Sequence, residues 1–502
     1  MYRSLLLILI LFTTTAIFAQ GGKRVKILNA DEWLFNDDIA DEAQRLIGNV
    51  RFKHKNVLMF CDSAYMYADN TIEAFSHVRI QQGDTLNTYS DRLLYDPDDR
   101  MAELTGNVRL ENPDMELKTD RLNYDLKNNL AYYSTGGHIE SGEDQNVLYS
   151  NKGSYLAGSR MFFFSDSVRL TNPDYEVVTD TLRYSTSSKI SYFLGPSTIL
   201  QDSSLIYCEN GWYDTERDIS SFEENAYIIY KDQRLEGDSL YYDRNTGMGK
   251  VIGNVQITDT VNNLIINGDL GLYNERTDIS WVTGRAMMTQ TFEDDPLFLH
   301  GDTLLSIPDS NKEFRSIRAY NGVRFYKTDM QGKCDSLIYS EIDSTLHMYN
   351  DPILWSEQNQ IIGEFIDLRI QGGAIDRLYI QNSAFIISKA DSTLFNQIKG
   401  KNMTGFFKDN DMYKVFVEGN GQTLYYATEE KEGTKKILGA NWAECSNILL
   451  FITNSEIDRI SFLTKPNMIL YPVDDVPTDR MKFDDFRWED DIRPMEKEDI
   501  FN

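Results

Sequence analysis

Apolar and polar residues alternate along most of this chain, in runs of about ten residues separated by short segments rich in Asn, Asp, Gly and Pro. An alternation with a period of two is typical of a β-strand that buries one face. The stretch LTGNVRLENPDMELKTDRLNYD (Leu104–Asp125) contains two such strands around an Asn-Pro-Asp turn, and SDSVRLTNPDYEVVTDTLRYS (Ser165–Ser185) has the same form. Because turns this short reverse the chain, the pattern predicts antiparallel neighbours.

One motif recurs through the chain: a small residue, an acidic residue, and then Leu and Tyr at alternate positions. Its acidic or Asn position falls at residues 62, 91, 120, 151, 180, 209, 238, 269, 302, 335 and 364, so successive copies lie 29 to 33 residues apart. A second motif, Gly-Asn-Val followed by alternating apolar residues, occurs at Gly48, Gly106 and Gly253. A regular period of this length indicates a repeat architecture, here with two strands and two turns per copy.

The phase of the alternation changes at the acidic residue of the motif. Met115 and Leu117 precede Asp120, whereas Leu122 and Tyr124 follow it, so the two apolar pairs have opposite parity. A bend or bulge at this step keeps both pairs on one face. We expect the acidic carboxylate to accept backbone N–H groups that the bend leaves unpaired. A ladder of calcium sites is the alternative, and it needs several oxygens converging at each site.

The cysteines are predicted to be free thiols. Cys61, Cys208, Cys334 and Cys445 are each more than 100 residues apart in sequence, which places them several strands apart in a stack of repeats. Three of them, Cys61, Cys208 and Cys334, occupy the small-residue position of the motif. We therefore expect them to be buried at an inner corner of the bend.

If every strand bends at the same place, the sheet forms an elongated, V-shaped antiparallel β trough. The predicted fold class is all-β, with regular repeats over residues 20–300 and a degenerate continuation over 301–465. The apolar residues of the motifs should line one concave surface: Val50, Val78, Val108, Leu110, Leu122, Tyr124, Val168, Leu182, Tyr184, Leu240, Tyr242, Val255, Tyr273, Leu337 and Tyr339. The alternative is that they only pack against each other, as in a filled sandwich with walls about 10 Å apart.

The two ends of the chain differ from the repeats. Residues 1–19 read as a secretory signal peptide, with Arg3, the apolar run Leu5–Phe12 and cleavage after Ala19. Residues 466–502 are acidic and are expected to form a disordered, solvated tail. The alternative is a peptide that docks on a partner or caps its own last strand, with Phe486 and Trp488 as anchors. The net charge of −28 argues against a nucleic-acid partner.

The pattern Ala-x-x-x-Gly-Asn-Val-x-Leu, followed by Asp-x-Leu-x-Tyr-Asp, is clearest at Ala102–Asp125 and returns at Gly253. It resembles the OstA/LptA family of lipopolysaccharide-transport proteins, over about residues 25 to 400. The resemblance implies a bent antiparallel β-jelly roll that carries the acyl chains of lipopolysaccharide, or of a related glycolipid, across the periplasm. It also implies a periplasmic location, association with the outer membrane through partners, and the addition of edge strands from other transport proteins.

Catalytic chemistry is not predicted. The five histidines, His54, His77, His138, His300 and His347, are scattered, and they are expected at loop or surface positions rather than as metal ligands. The sequence has no HxxxH or CxxC pair and no GxSxG nucleophile elbow. We therefore expect no enzyme activity, no metal and no cofactor. Two other hypotheses stay open: a structural or adhesive β-repeat protein of the cell surface without lipid cargo, and a polysaccharide-active enzyme.

Overall fold

The computed structural model describes residues 24–35, 43–83, 86–112, 115–141, 145–201, 204–292, 295–311, 314–371, 374–408, 411–431, 434–453 and 456–502. The signal peptide predicted at residues 1–19 lies outside them. The chain divides into two compact units, unit 1 up to residue 202 and unit 2 from residue 203. Nearly all regular structure in the described residues is β-strand, and the predicted all-β class is confirmed.

Unit 1 contributes fifteen strands among its described residues, many of them eleven or so residues long as the alternation predicts. They are β1 (Lys26–Asn29), β2 (Glu32–Phe35), β3 (Gln44–His54), β4 (Val57–Met66), β5 (Ile72–Gln82), β6 (Leu86–Asp96), β7 (Met101–Glu111), β8 (Met115–Asp125), β9 (Leu130–Tyr133), β10 (Gly137–Ser141), β11 (Val147–Ser150), β12 (Lys152–Leu156), β13 (Met161–Thr171), β14 (Glu176–Ser185) and β15 (Ile190–Gln201).

Unit 2 continues the pattern through the segment predicted to be degenerate. Its strands are β16 (Ser204–Asp214), β17 (Ile219–Glu223), β18 (Tyr227–Tyr230), β19 (Gln233–Glu236), β20 (Ser239–Asp243), β21 (Met248–Asp259), β22 (Leu264–Asn274), β23 (Ile279–Thr283), β24 (Met287–Phe292), β25 (Asp295–His300), β26 (Thr303–Pro308), β27 (Arg315–Lys327), β28 (Met330–Ser340), β29 (Thr345–Tyr349), β30 (Ile353–Ser356), β31 (Asn359–Ile362), β32 (Phe365–Gln371), β33 (Ala374–Gln381), β34 (Ala384–Lys389), β35 (Phe395–Gly400), β36 (Asn402–Lys408), β37 (Asp411–Lys431), β38 (Thr434–Thr453), β39 (Glu456–Leu463) and β40 (Asn467–Pro472).

Four short 3₁₀ helices follow the last strand of unit 2. They are Val473–Asp475, Thr478–Arg480, Asp490–Ile492 and Lys497–Phe501. Within the described part of the chain, no helix has both the length and the apolar character that a membrane span requires.

Each long strand is divided by a corner into two halves. In the β7–β8 pair the register shifts between Thr105 and Val108, so the halves on either side form separate ladders. We call the half-sheet that contains Met101–Thr105 wall A and the half-sheet that contains Val108–Glu111 wall B. Walls A and B of the other repeats are assigned by the same position relative to the corner.

The corner is a β-bulge built by the Gly-Asn-Val motif. Gly106 and Asn107 together oppose the single residue Asp120, and both have positive φ, 77° and 47°. Gly adopts this left-handed backbone without strain, and Asn tolerates it better than most residues. The bend predicted at the acidic step is thus confirmed, and its physical basis is an extra residue on the opposite strand.

The two walls of unit 1 face each other across a shared interior. His54 lies at the far end of β3 in wall B and Tyr95 at the far end of β6 in wall A, yet His54 Nδ1 is 2.6 Å from the Tyr95 hydroxyl. Likewise the Tyr124 hydroxyl of wall A donates to the side-chain carbonyl of Gln82 in wall B. The apolar side chains that point inward from both walls are therefore enclosed between them.

The C-terminal segment, residues 473–502, is ordered, so the disorder expected for it is wrong. It lies on the outer face of wall B in unit 2. The Gln360 side chain holds it at two points, because Nε2 donates to the Arg487 carbonyl at 2.8 Å and Oε1 accepts from the Glu489 N–H at 2.7 Å. The predicted anchors Phe486 and Trp488 pack on Phe395, with ring centroids 5.2 and 5.3 Å apart.

A second glutamine holds the C-terminal segment in the same way. Gln397 Nε2 donates to the Met481 carbonyl at 2.9 Å, and its Oε1 accepts from the Phe483 N–H at 2.9 Å. Both glutamines are fully buried, and each forms hydrogen bonds with backbone groups of two residues that lie two positions apart in the segment. Because each amide satisfies one donor and one acceptor, the segment covers the sheet without leaving these buried polar groups unpaired.

Candidate functional site

The enclosed apolar interior is the candidate functional site. Of the fifteen residues predicted to line the trough, the structure buries eleven: Val50, Val78, Val108, Leu110, Leu122, Tyr124, Val168, Leu182, Leu240, Val255 and Leu337. The other four are the partly exposed tyrosines Tyr184, Tyr242, Tyr273 and Tyr339. These residues lie on the inward face of their strands, and that they line a ligand-binding groove stays a prediction.

In unit 1 the interior is closed around strands β3 to β8. Met59, Ile80, Leu110 and Leu117 of wall B are all buried, as are the residues that face them from wall A. Tyr95 contributes to this closure, and burial raises the pKa of its hydroxyl to about 12. Side chains packed to this degree fill the space between the walls in the manner of a protein core.

In unit 2 the interior is only partly covered over residues 206–273, which we call the open stretch. Five inward positions of wall B that are equivalent to the buried residues of unit 1 are only partly buried there: Ile206, Ile228, Leu235, Ile257 and Ile266. Gly211 and Gly271 stand where Leu122 stands in unit 1, two residues after the acidic position. Wall A therefore presents less apolar side chain at these two positions, and the five residues of wall B stay partly accessible.

Two tyrosines mark the rim of the open stretch. The Tyr242 hydroxyl donates to the Glu275 carboxylate, and the Tyr273 hydroxyl donates to Asp278 Oδ1 at 3.2 Å. Burial, together with Asp278, raises the pKa of Tyr273 to about 12. Each ring thus places an apolar face beside the groove and keeps its hydroxyl bonded to a turn carboxylate at the edge.

The five isoleucine and leucine residues of the open stretch were not among the predicted lining residues. Each lies either two residues before the small residue of a corner or two residues after the Val position. That spacing is the signal that could have identified them, because alternate residues of a strand share a face. The spacing cannot tell whether a given inward residue is covered by the opposite wall.

The acidic residues of the motif bind the bulge of a neighbouring strand. Asn107 Nδ2 donates to Asp91 Oδ2 at 2.7 Å, and Asn254 donates to Asp238 at 2.9 Å. The acceptor role was expected, but the donor is a side-chain amide that was not predicted. In the part of the chain that the structure describes, no three His, Cys, Asp or Glu side chains are grouped to hold a metal ion.

The four thiols are buried and free. Burial raises the pKa of Cys61, Cys208 and Cys334 to about 12. Cys445 also occupies a corner position, because the N–H of the next residue, Ser446, donates to the Thr464 carbonyl across a bulge. A thiol held protonated in this way is a poor nucleophile, so these cysteines act as small packing residues.

The histidines do not form a site. His77 is exposed as expected, with Nδ1 2.7 Å from Asp62 Oδ2 at a corner. The expectation of a loop or surface position is wrong for His54, which ends strand β3 and is only 3% exposed. Its burial follows from the Tyr95 hydroxyl, a partner from the opposite wall that the sequence could not identify.

Comparison with known proteins finds a family match in the N-terminal part of the chain. Residues 22–180 match the model of the OstA-like protein family, so the resemblance seen in the repeats is confirmed for this stretch. No curated protein matches the chain. A solved structure with partial similarity is LptH from Pseudomonas aeruginosa, the LptA homologous periplasmic component of the conserved lipopolysaccharide transport device. It is 12% identical, with a TM-score of 0.22, and the match covers 29% of this chain and 99% of LptH.

Proposed function

We propose that this protein binds the acyl chains of lipopolysaccharide, or of a related glycolipid, and carries them across the periplasm toward the outer membrane without catalysing a reaction. The observation that carries this proposal is the open apolar stretch of unit 2, where Ile257 and Ile266 face the interior and are only partly buried, although they pack against the neighbouring core. The OstA-like match of residues 22–180 supports the same class of function.

The energetics favour such a cargo. Each methylene of an acyl chain that leaves water for an apolar groove gains about 0.8 kcal/mol. The partly exposed isoleucines of the groove gain in addition, because the same acyl chain covers them. The sugar and phosphate groups stay in water at the rim, beside Tyr242 and Tyr273, so their desolvation is avoided.

The route of the cargo follows from the proposed location. Export would be directed by residues 1–19, and the transport proteins of the pathway would pair with an edge strand of this chain. Strand β40 suits that role, because in the described residues it pairs with β38 on one side, and its Met468 and Leu470 are strongly exposed. A partner strand could pair with the other edge of β40 and extend the sheet.

A structural β-repeat protein without lipid cargo is the second candidate. The closed interior of unit 1 favours it, because Leu110, Leu117 and Leu122 there already bury each other. If the groove of unit 2 serves only to pack against protein, the chain should take up no lipid. One experiment separates the two candidates.

The experiment places a photocrosslinking amino acid at position 266 of the mature protein in a host that makes lipopolysaccharide. Position 265 is the matched control, since Ile265 is the adjacent residue on the outer face and is 36% exposed. We expect a lipopolysaccharide adduct from position 266 and none from position 265. Equal labelling, or no adduct at either position in a folded protein, would favour the structural candidate.

A further inference from the structure

A cleft with a cavity volume of about 1170 Å³ lies on the outer face of wall B in unit 1. It gathers cationic and aromatic side chains from neighbouring strands: Arg79, Arg109, Lys118, Phe60, Tyr89 and Tyr149. These residues point outward, because each is adjacent in sequence to an inward residue of the corner. The cleft is therefore separate from the apolar interior, and what it binds is independent of the proposed lipid cargo.

The cations of the cleft lie against its rings. The Arg79 guanidinium is 4.2 Å from the centre of the Phe60 ring, and that of Arg109 is 4.8 Å from the centre of Tyr89. Tyr149 is 46% exposed. Arg and aromatic side chains in such a concave setting are the residues that dominate protein–protein contacts.

Carboxylates already accompany two of these cations. Arg109 Nε is 3.0 Å from Glu111 and 3.5 Å from Glu116, and Lys118 Nζ is 3.3 Å from Glu116 and 3.4 Å from Glu140. All of these side chains are partly exposed. Ion pairs exposed to water contribute little to stability, so carboxylates of an incoming partner can exchange with them.

The equivalent face of unit 2 is covered by another segment of the same chain. Arg324 stands where Arg79 and Arg109 stand, one residue after the Val of the corner, and it donates to the Asp499 carbonyl at 3.4 Å. Lys399 stands where Lys118 stands, and its Nζ is 2.8 Å from Asp485 Oδ2. Both partners belong to the C-terminal segment of the chain, which is acidic and carries aromatic anchors.

We propose that the cleft of unit 1 is a docking site for an extended, acidic segment with aromatic residues, supplied by a partner protein. Carboxylates of the segment would pair with Arg79, Arg109 and Lys118, and its rings would pack on Tyr89 and Tyr149. The precedent is intramolecular: the same repeat position, with the same mixture of charge and rings, is covered in unit 2 by a segment of that composition. In unit 1 the described residues leave this face uncovered.

The test uses a fluorescent peptide with the sequence of residues 482–493, KFDDFRWEDDIR, added to the full mature chain. Anisotropy should report binding that Arg79→Ala and Tyr89→Ala each weaken about tenfold, a loss equivalent to one anchoring contact. Arg183→Ala is the matched control, because Arg183 lies 4.3 Å from the ring of Tyr192 but does not line the cleft. A peptide with Asp and Glu replaced by Asn and Gln should bind the unmodified chain as weakly as the acidic peptide binds the Arg79→Ala and Tyr89→Ala variants.

The proposal is overturned by the absence of binding, or by binding that the cleft variants leave unchanged, as exchange with the chain's own C-terminal segment in unit 2 would produce. It is also overturned if a phosphorylated disaccharide binds the cleft and the peptide does not. A photocrosslinker at the exposed Tyr149 position gives an independent readout. It should label the acidic peptide and not the neutral one, even if a cleft variant proves unstable.

Discussion

Asn107 and Asp91 join two neighbouring strands at the corner of the sheet, with the Asn107 side-chain amide donating to the Asp91 carboxylate across 2.7 Å. Asn107 is also one of the two bulge residues and has a φ of 47°. The residue therefore does two things at once: it adopts a left-handed backbone and it ties the bulge to the previous repeat. The same pairing of Asn254 with Asp238 shows that this is a property of the repeat.

Substitution of Asn107 should separate its two contributions. Asn107→Gly loses the hydrogen bond but adopts the positive φ freely, whereas Asn107→Ala loses the bond and keeps the backbone strain. We expect the alanine variant to be less stable than the glycine variant by about 1 kcal/mol. Urea unfolding of both variants measures this difference. Equal stability would mean that the left-handed conformation is not strained.

Gly106 should be more sensitive to an added side chain than another glycine with positive φ. Its φ is +77°, and an added Cβ would lie 2.7 Å from Asp91 Oδ2, so alanine must both strain the backbone and displace the carboxylate. Gly83 is the control, with a φ of +65° and no atom within 4 Å of the added Cβ. We expect Gly106→Ala to lower the free energy of unfolding by about 1 kcal/mol more than Gly83→Ala, the usual value of a lost hydrogen bond. Thermal melts of the two variants give the comparison.

The buried thiols should make stability depend on alkaline pH. The pKa of Cys61, Cys208 and Cys334 is about 12 in the folded chain and 9.0 as the ordinary value. Since the unfolded thiols lose their protons first, this part of the stability is complete below pH 9 and declines as pH rises toward 12. Each thiol contributes at most about 1.4 kcal/mol per pH unit.

A variant with all three cysteines changed to Ala isolates this effect. Between pH 9 and 10 its unfolding free energy should fall less steeply with pH than that of the unmodified chain, since the tyrosines contribute equally to both curves. The slope is the relevant quantity, because the substitutions also leave small cavities that lower stability at every pH. Parallel curves in urea titrations would show that the thiols titrate alike in both states.

Gln360 should control the attachment of the C-terminal segment. Gln360→Leu removes both hydrogen bonds to the segment and leaves the Arg487 carbonyl and the Glu489 N–H without this buried partner. We expect the segment to detach locally, with faster hydrogen exchange and faster proteolysis over residues 473–502. Gln358→Leu, in the exposed turn two residues earlier, is the control and should leave both rates unchanged. Unchanged rates in both variants would mean that the aromatic anchors alone hold the segment.

The repeat unit was predictable because its signals are local. The change of phase between Leu117 and Leu122 identifies the bend, and the small residue at Cys61 or Thr119 identifies its inner corner. Residues two apart on a strand must share a face, so the inward set followed from spacing alone. In the structure the bend falls at the predicted step, and the Gly-Asn pair supplies the extra residue of the bulge.

The strand, its inward face and the place where it bends could therefore be predicted from the sequence, since they depend on residues close together in the chain. Whether an inward residue such as Ile80 or Ile257 is covered depends on the opposite wall, so it became known only from the folded chain. The same is true of the contact between Gln360 and a segment 127 residues later, and of the contact between His54 and a tyrosine 41 residues away. Periodicity predicts which face of the sheet each side chain lies on, but it contains no information about the residues that the side chain contacts there.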